Sequence, residues 1–111
     1  MDKKIPPHKE AALNEINQNY KGNSAKQQCV RFLAALKLFT INTYEASRLL
    51  SIYHSPARAL QLRQQGHLLD TVWQTVEDEN GVLHRVGCYV LRHSPPLTNN
   101  QPSDKNSEVM L

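Results

Sequence analysis

The spacing of apolar residues changes at Gly66, and this change limits the possible folds more than any other feature of the chain. Before Gly66, apolar residues recur every three to four positions, which is the period of amphipathic helices. After it, the segments HLLDTVWQTV (67–76) and VLHRVGCYVL (82–91) are rich in Val, Leu, Thr, Trp and Tyr and favour strands. Helices followed by a single hairpin predict an α+β domain.

Two predicted helices begin at capping boxes, in which a small polar residue is followed three positions later by Glu or Gln. Ser24 precedes Gln27, and Asn42 precedes Glu45. The first of these helices carries an apolar stripe at positions i, i+3, i+4 and i+7, formed by Cys29, Phe32, Leu33 and Leu36. The second has a short buried side formed by Ala46, Leu49 and Leu50.

A third helix is predicted from Ser55 to Gly66. Ser55 suits the N-cap, Pro56 suits the first helical position, and Gly66 suits the position after the C-cap. Ala59 and Leu62 form its apolar stripe. A polar row with spacings of four, three and four is expected on the opposite face: His54, Arg58, Gln61 and Gln65.

The two predicted strands form a hairpin that turns at Asn80-Gly81, since both residues accept positive φ. Leu69, Tyr89 and Leu91 are expected to face the core. The acidic run 77–79 lies at the tip and is expected to point away from any polyanion.

Residues 1–22 form a predicted N-terminal extension, 23–92 the domain, and 93–111 a disordered tail rich in Pro, Asn and Ser. In the extension, Leu13, Ile16 and Tyr20 recur at helical spacing. Two interpretations remain open: these three residues form a homodimer contact, or they pack on their own domain.

Charge is distributed unevenly along the chain. Residues 21–66 hold seven basic residues against Glu45 alone, whereas residues 67–92 hold two basic residues against four acidic ones. A basic half next to an acidic half is typical of a protein with a polyanionic partner.

Several classes of protein are disfavoured by what the sequence lacks. It has no apolar run of about 18 residues and no signal-peptide core at its start, so no membrane partner is expected. Cys29 and Cys88 fall in no metal-binding spacing and are predicted to be buried, reduced thiols of a cytoplasmic protein. No phosphate loop, HExxH or GxSxG motif occurs. We therefore expect no enzymatic activity, cofactor, metal or small-molecule ligand.

Three helices followed by a hairpin is the order of a winged helix-turn-helix, whose third helix lies in the DNA major groove. The chain also resembles, over residues 24 to 91, a family of short winged helix-turn-helix domains common in phages and prophages. Three stretches carry the resemblance: Leu50-Ser51-Ile52, the helix from Pro56 through Arg58 and Arg63 to Gly66, and Tyr89-Val90-Leu91. Ala59 departs from the family pattern, which has a larger aliphatic residue there.

The resemblance implies double-stranded DNA binding by a small phage- or prophage-type transcription regulator. Arg and Gln can make paired hydrogen bonds to guanine and adenine, and a helix start can hold a phosphate. The candidate DNA contacts are His54, Ser55, Arg58, Gln61 and Gln65 on the third helix, with Lys26, Arg48 and Arg85 elsewhere. Arg63 and Trp73 are expected to have structural roles. The alternative function is a winged-helix protein-interaction module without sequence-specific DNA binding.

Overall fold

The computed structural model of the chain describes residues 5–95, which form four helices and one three-stranded antiparallel sheet. The elements are α1 (Pro7–Asn19), α2 (Ala25–Leu36), β1 (Ile41–Asn42), α3 (Thr43–Leu50), α4 (Ser55–Gln64), β2 (Leu68–Glu77) and β3 (Leu83–His93). The strand order is β1-β3-β2. The predicted α+β class is confirmed. Strand β1 was not predicted, because two residues are too few to show an alternating pattern.

A single hydrophobic core joins the helices to the base of the hairpin. The ring of Phe32 on α2 meets the ring of Tyr89 on β3 edge-on, with centroids 5.5 Å apart. Leu69 and Tyr89 are buried and Leu91 packs against the core, so the predicted inward face of the hairpin is confirmed. Cys29 and Cys88 are both buried and form no disulfide.

Helix α1 packs mainly against α3 and α2. Leu13 is fully buried in the core and Ile16 is only 8% exposed, whereas Tyr20 remains 40% exposed. A dimer contact through all three residues is therefore wrong, because Leu13 and most of Ile16 already fill the space between α1 and its own domain. The alternative interpretation, in which they pack on the same chain, holds for these two residues.

Both predicted capping boxes begin helices. The Ser24 hydroxyl accepts a hydrogen bond from the Gln27 amide at 3.1 Å. At α3, the Asn42 side chain accepts from the Glu45 amide and the Glu45 carboxylate accepts from the Asn42 amide, which completes the reciprocal box. Helix α3 ends at Ser51 with a positive φ of 56°, the left-handed conformation that glycine adopts most readily.

Arg31 ties the ends of two helices together. Its side chain is 1% exposed and lies inside the helical body, as we call the four helices α1 to α4 together. Its Nε donates to the Leu50 carbonyl at 2.6 Å, and its Nη1 donates to the carbonyls of Tyr20 and Gly22 at 2.7 and 3.0 Å. Burial lowers the pKa of Arg31 from its ordinary value. The guanidinium therefore satisfies carbonyls at the C-terminal ends of α1 and α3 that no helical amide can reach.

Gly66 ends α4 as predicted. Its φ is +102°, its amide donates to the Arg63 carbonyl at 3.0 Å, and the His67 amide donates to the Leu62 carbonyl at 3.1 Å. These two bonds are the pattern of a Schellman motif, which needs a left-handed residue at this position.

The turn of the hairpin differs from the prediction. It spans residues 78–82, and of Asn80 and Gly81 only Gly81 has a positive φ. The Asp78 carboxylate accepts hydrogen bonds from the amides of Asn80 and Val82 at 2.9 and 3.0 Å and lies 2.8 Å from His84 Nε2. The bond with His84 and the two amide bonds lower the pKa of Asp78. A side chain thus shapes the turn, which a two-residue turn signal does not capture.

Strand β3 continues to His93, and the Ser94 hydroxyl lies 2.9 Å from His67 Nδ1. Most of the predicted tail, residues 96–111, lies outside the described residues. Within residues 5–95, no helix is long and apolar enough to cross a membrane. The same part of the chain brings together no group of three or more His, Cys, Asp or Glu side chains that could hold a metal.

Candidate nucleic-acid interface

The start of α4 differs from its sequence-based prediction. The helix includes Ser55, and His54 is the N-cap residue without a side-chain capping bond. Ser55 is only 2% exposed, so its hydroxyl does not face solvent. The amides of Ala57 and Arg58 already donate to the His54 carbonyl. A phosphate contact through the Ser55 side chain is therefore not supported by its position, whereas the His54 side chain is exposed.

The polar row of α4 does not lie opposite the buried stripe. Cys29 Sγ on α2 is 3.4 Å from Gln61 Oε1 and 3.9 Å from the Arg58 carbonyl, so these two oxygens share its single thiol proton. Arg58 Nε is buried with no hydrogen-bond partner among the described residues. Burial raises the pKa of Cys29 more than the nearby Arg58 charge lowers it, which keeps the thiol protonated as a donor. Arg58 and Gln61 thus line the flank of α4 that faces α2.

The surface of α4 that points away from the core consists of different residues. The buried side is formed by Ser55, Ala59 and Leu62. At about 100° per residue, the opposite side falls on Ala57, Leu60 and Gln64. Leu60 is 54% exposed, Gln64 is exposed, and Tyr53, just before the helix, is 76% exposed. We call Tyr53, Ala57, Leu60 and Gln64 the outer surface of α4.

Sequence reasoning missed this surface for two reasons. Leu60 and Tyr53 are large apolar residues, which a binary pattern assigns to the interior. Ser55 is polar but buried, so counting only Ala59 and Leu62 left the centre of the buried stripe poorly defined. An available signal was the spacing of Tyr53, Leu60 and Gln64, which recur on one side of a helix.

Arg63 has the structural role that was predicted for it. Its Nε and Nη2 donate to the Leu69 carbonyl at 3.1 and 3.0 Å, and Nη2 also donates to Thr71 Oγ1 at 3.1 Å. These bonds connect the last turn of α4 to the first residues of β2. The orientation of the outer surface relative to the hairpin is therefore held by a charged side chain with several hydrogen bonds.

On the hairpin, Arg85 lies over Trp73. The Arg85 guanidinium carbon is 4.5 Å from the Trp73 ring, and the indole is 57% exposed. Trp73 pairs with Gly87 across the strands, and a side chain at Gly87 would contact the indole and Thr71. The glycine thus gives the indole a place to lie across β3, which is the hairpin-packing role expected for Trp73. The ring in turn orients the exposed Arg85 cation.

The other predicted contacts are dispersed. Lys26 is exposed on the first turn of α2, and Gln65 is exposed at the C-cap of α4. Arg48 on α3 is exposed, lies 5.1 Å from the Tyr44 ring, and approaches Glu79 at the hairpin tip to 3.6 Å. Such an exposed ion pair contributes little free energy, so Arg48 can exchange Glu79 for another anion at small cost.

Comparison with protein families gives one finding. A family model described as a winged helix-turn-helix domain matches residues 27–94, which is more than half of the chain. Comparisons with curated proteins and with solved structures give no significant match. A winged helix-turn-helix domain is typically a non-enzymatic fold that binds DNA.

Proposed function

Because the chain belongs to the family of winged helix-turn-helix domains, we propose that it binds double-stranded DNA sequence-specifically, as a small regulator of the phage or prophage type. In this proposal α4 lies in the major groove. The observation that supports it best is the outer surface of α4, where Leu60 and Gln64 are exposed on the side opposite the buried Ala59 and Leu62.

The residue types on the outer surface suit direct contacts with bases. A Gln side chain can make two hydrogen bonds to adenine, and an apolar side chain can pack against the methyl group of thymine. Gln64 and Leu60 would take these roles. Arg58, Gln61 and Gln65 stand on the flank of the helix and would contact the edge of the groove, with His54 at its start.

Phosphate contacts would come from exposed cations outside α4. The Lys26 side chain is exposed and forms no hydrogen bond or ion pair with another residue of the 5–95 range, and Arg85 is oriented by Trp73. Arg48 would have to release Glu79. These contacts fix the position of a protein on DNA and add affinity without reading the sequence.

Selection of bound duplexes from a random pool tests the proposal directly. The full chain should enrich a common sequence motif, and the Gln64→Ala variant should enrich the same motif with one position relaxed. Gln18→Ala, an exposed Gln on α1, is the matched control and should leave the motif unchanged. Failure to enrich any motif would contradict sequence-specific binding.

A protein-interaction module is the second candidate, and one observation favours it. Val82 and Leu83 at the hairpin tip are 52% and 67% exposed, and Leu83 pairs across the strands with the acidic Glu77. Apolar side chains next to carboxylates suit a partner that has an apolar contact surrounded by basic residues. The two candidates make different predictions for a variant in which the charges of the acidic tip are removed.

A further inference from the structure

An open groove of about 590 Å³ lies between α1 and α2. Its lining is mostly apolar and includes Ile16 and Leu33, which also belong to the core or pack against it. Three large side chains along the groove remain exposed to solvent: Tyr20, Val30 and Leu38. Exposed apolar groups gathered in one groove are typical of an interaction site rather than of a solvated surface.

The rim of the groove is held in place by backbone hydrogen bonds. The Tyr20 amide donates to the Ile16 carbonyl at 3.0 Å, and its carbonyl accepts from the buried Arg31. At the other end, the Leu38 amide donates to the Ala35 carbonyl at 3.0 Å. Since the backbone at both ends is fixed, a partner that binds there loses less free energy to ordering the site.

The charges that line the groove favour a second copy of this chain as its partner. Glu15 on α1 and Lys37 on α2 both line it, and both are exposed. Neither forms an ion pair with another residue of the described part of the chain. A surface with one charge of each sign is complementary to itself. In a two-fold arrangement, Glu15 of each copy can meet Lys37 of the other, which gives two ion pairs from one residue pair.

We propose that the groove between α1 and α2 binds a second copy of this chain, which makes the protein a two-fold dimer. The contact uses α1 and α2 and leaves the outer surface of α4 and the Trp73–Arg85 pair uncovered. Two copies then present two α4 helices, as binding to a two-fold DNA site requires. The dimer is measured without DNA, so this inference and the proposed function can fail separately.

Sedimentation velocity of charge-reversed variants tests the proposal. The wild-type protein should sediment as a species of twice the 12.7 kDa chain mass. Glu15→Lys alone and Lys37→Glu alone should each weaken self-association by roughly tenfold or more, because each places like charges opposite each other at both contacts. An equimolar mixture of the two variants should dimerise again, since every contact in the mixed dimer joins opposite charges.

Glu10→Lys is the matched control. Glu10 is exposed on the side of α1 away from the groove, so its reversal changes net charge equally but should leave the dimer intact. A wild-type protein that stays monomeric at all concentrations would overturn the proposal. A dimer that resists both reversals would also overturn it, as would failure of the mixture to associate, because the groove would then serve a different ligand.

Discussion

The helical body and the hairpin each contain an arginine held by a specific contact, but the two environments differ. Arg31 in the body is 1% exposed and donates to backbone carbonyls at the ends of α1 and α3. Arg85 on the hairpin is exposed and lies over the Trp73 ring. A buried, fully bonded cation is part of the fold, whereas an exposed and oriented cation is available to a partner. The same residue type therefore stabilises one region and can bind a ligand in the other.

This difference gives each region its own expected response to substitution. Substitutions of buried residues in the helical body should lower the free energy of unfolding and affect DNA binding only through folding. On the hairpin and on the outer surface of α4, they should change DNA affinity with little effect on unfolding.

The largest expected effect is on stability. Arg31→Met should lower the free energy of unfolding by about 3–5 kcal/mol, because it leaves one buried and three partly buried carbonyls without this donor. Urea unfolding followed by circular dichroism would measure the loss. Arg48→Met, at an exposed arginine on α3, is the control and should change stability by less than about 1 kcal/mol. If both variants lowered the free energy of unfolding by a similar small amount, the buried Arg31 would stabilise the fold no more than the exposed Arg48 does.

Next in size is the loss of a base contact. Gln64→Ala should weaken binding to a selected duplex by about 1–3 kcal/mol and leave binding to random duplex unchanged. Fluorescence anisotropy with both duplexes measures the two affinities. Arg58→Ala, on the flank beside α2, should weaken both affinities to a similar degree. If Arg58→Ala instead relaxes specificity and Gln64→Ala does not, the flank and not the outer surface reads the sequence.

A smaller effect is expected at the ring that orients Arg85. Trp73→Ala should lower DNA affinity by about 0.5–1 kcal/mol, since the guanidinium loses its cation–π contact and becomes less ordered. Trp73→Phe keeps a ring beneath the cation and should lose less. If the wild-type protein and both variants bound DNA with equal affinity, this part of the hairpin would not contact DNA.

The smallest effect is expected at the acidic tip. The combined variant Glu77→Gln, Asp78→Asn and Glu79→Gln should bind random duplex slightly more tightly at low salt, because three carboxylates near phosphates are repelled within a screening length of about 8–10 Å. The gain should fade as salt is added. Unchanged DNA affinity combined with loss of a basic protein partner in a pull-down would favour the protein-interaction module.

The sequence predicts the structure correctly where an interaction between neighbouring residues determines it. Capping by Ser24 and Asn42 and the helix end at Gly66 depend on nearby residues, and these predictions are confirmed. Arg63 was also predicted correctly, because its carbonyl partner on β2 is only six positions away.

The sequence did not predict the structure where a contact between distant elements sets the orientation of a side chain. Arg31 reaches carbonyls up to 20 positions away, and the orientation of Arg58 and Gln61 depends on Cys29 of another helix. The rotation of α4 about its axis is set by packing and not by polarity, so a conspicuous polar row was assigned to the wrong side.

The measurement that tests the central claim most directly is the affinity of the wild-type protein for duplex DNA at a series of salt concentrations. With about four to six phosphates contacted, the logarithm of the association constant should fall with a slope of about −4 to −5 against the logarithm of salt concentration. Titrations followed by fluorescence anisotropy give this slope. A slope near zero, or no binding at low salt, would contradict DNA binding through α4 and the hairpin.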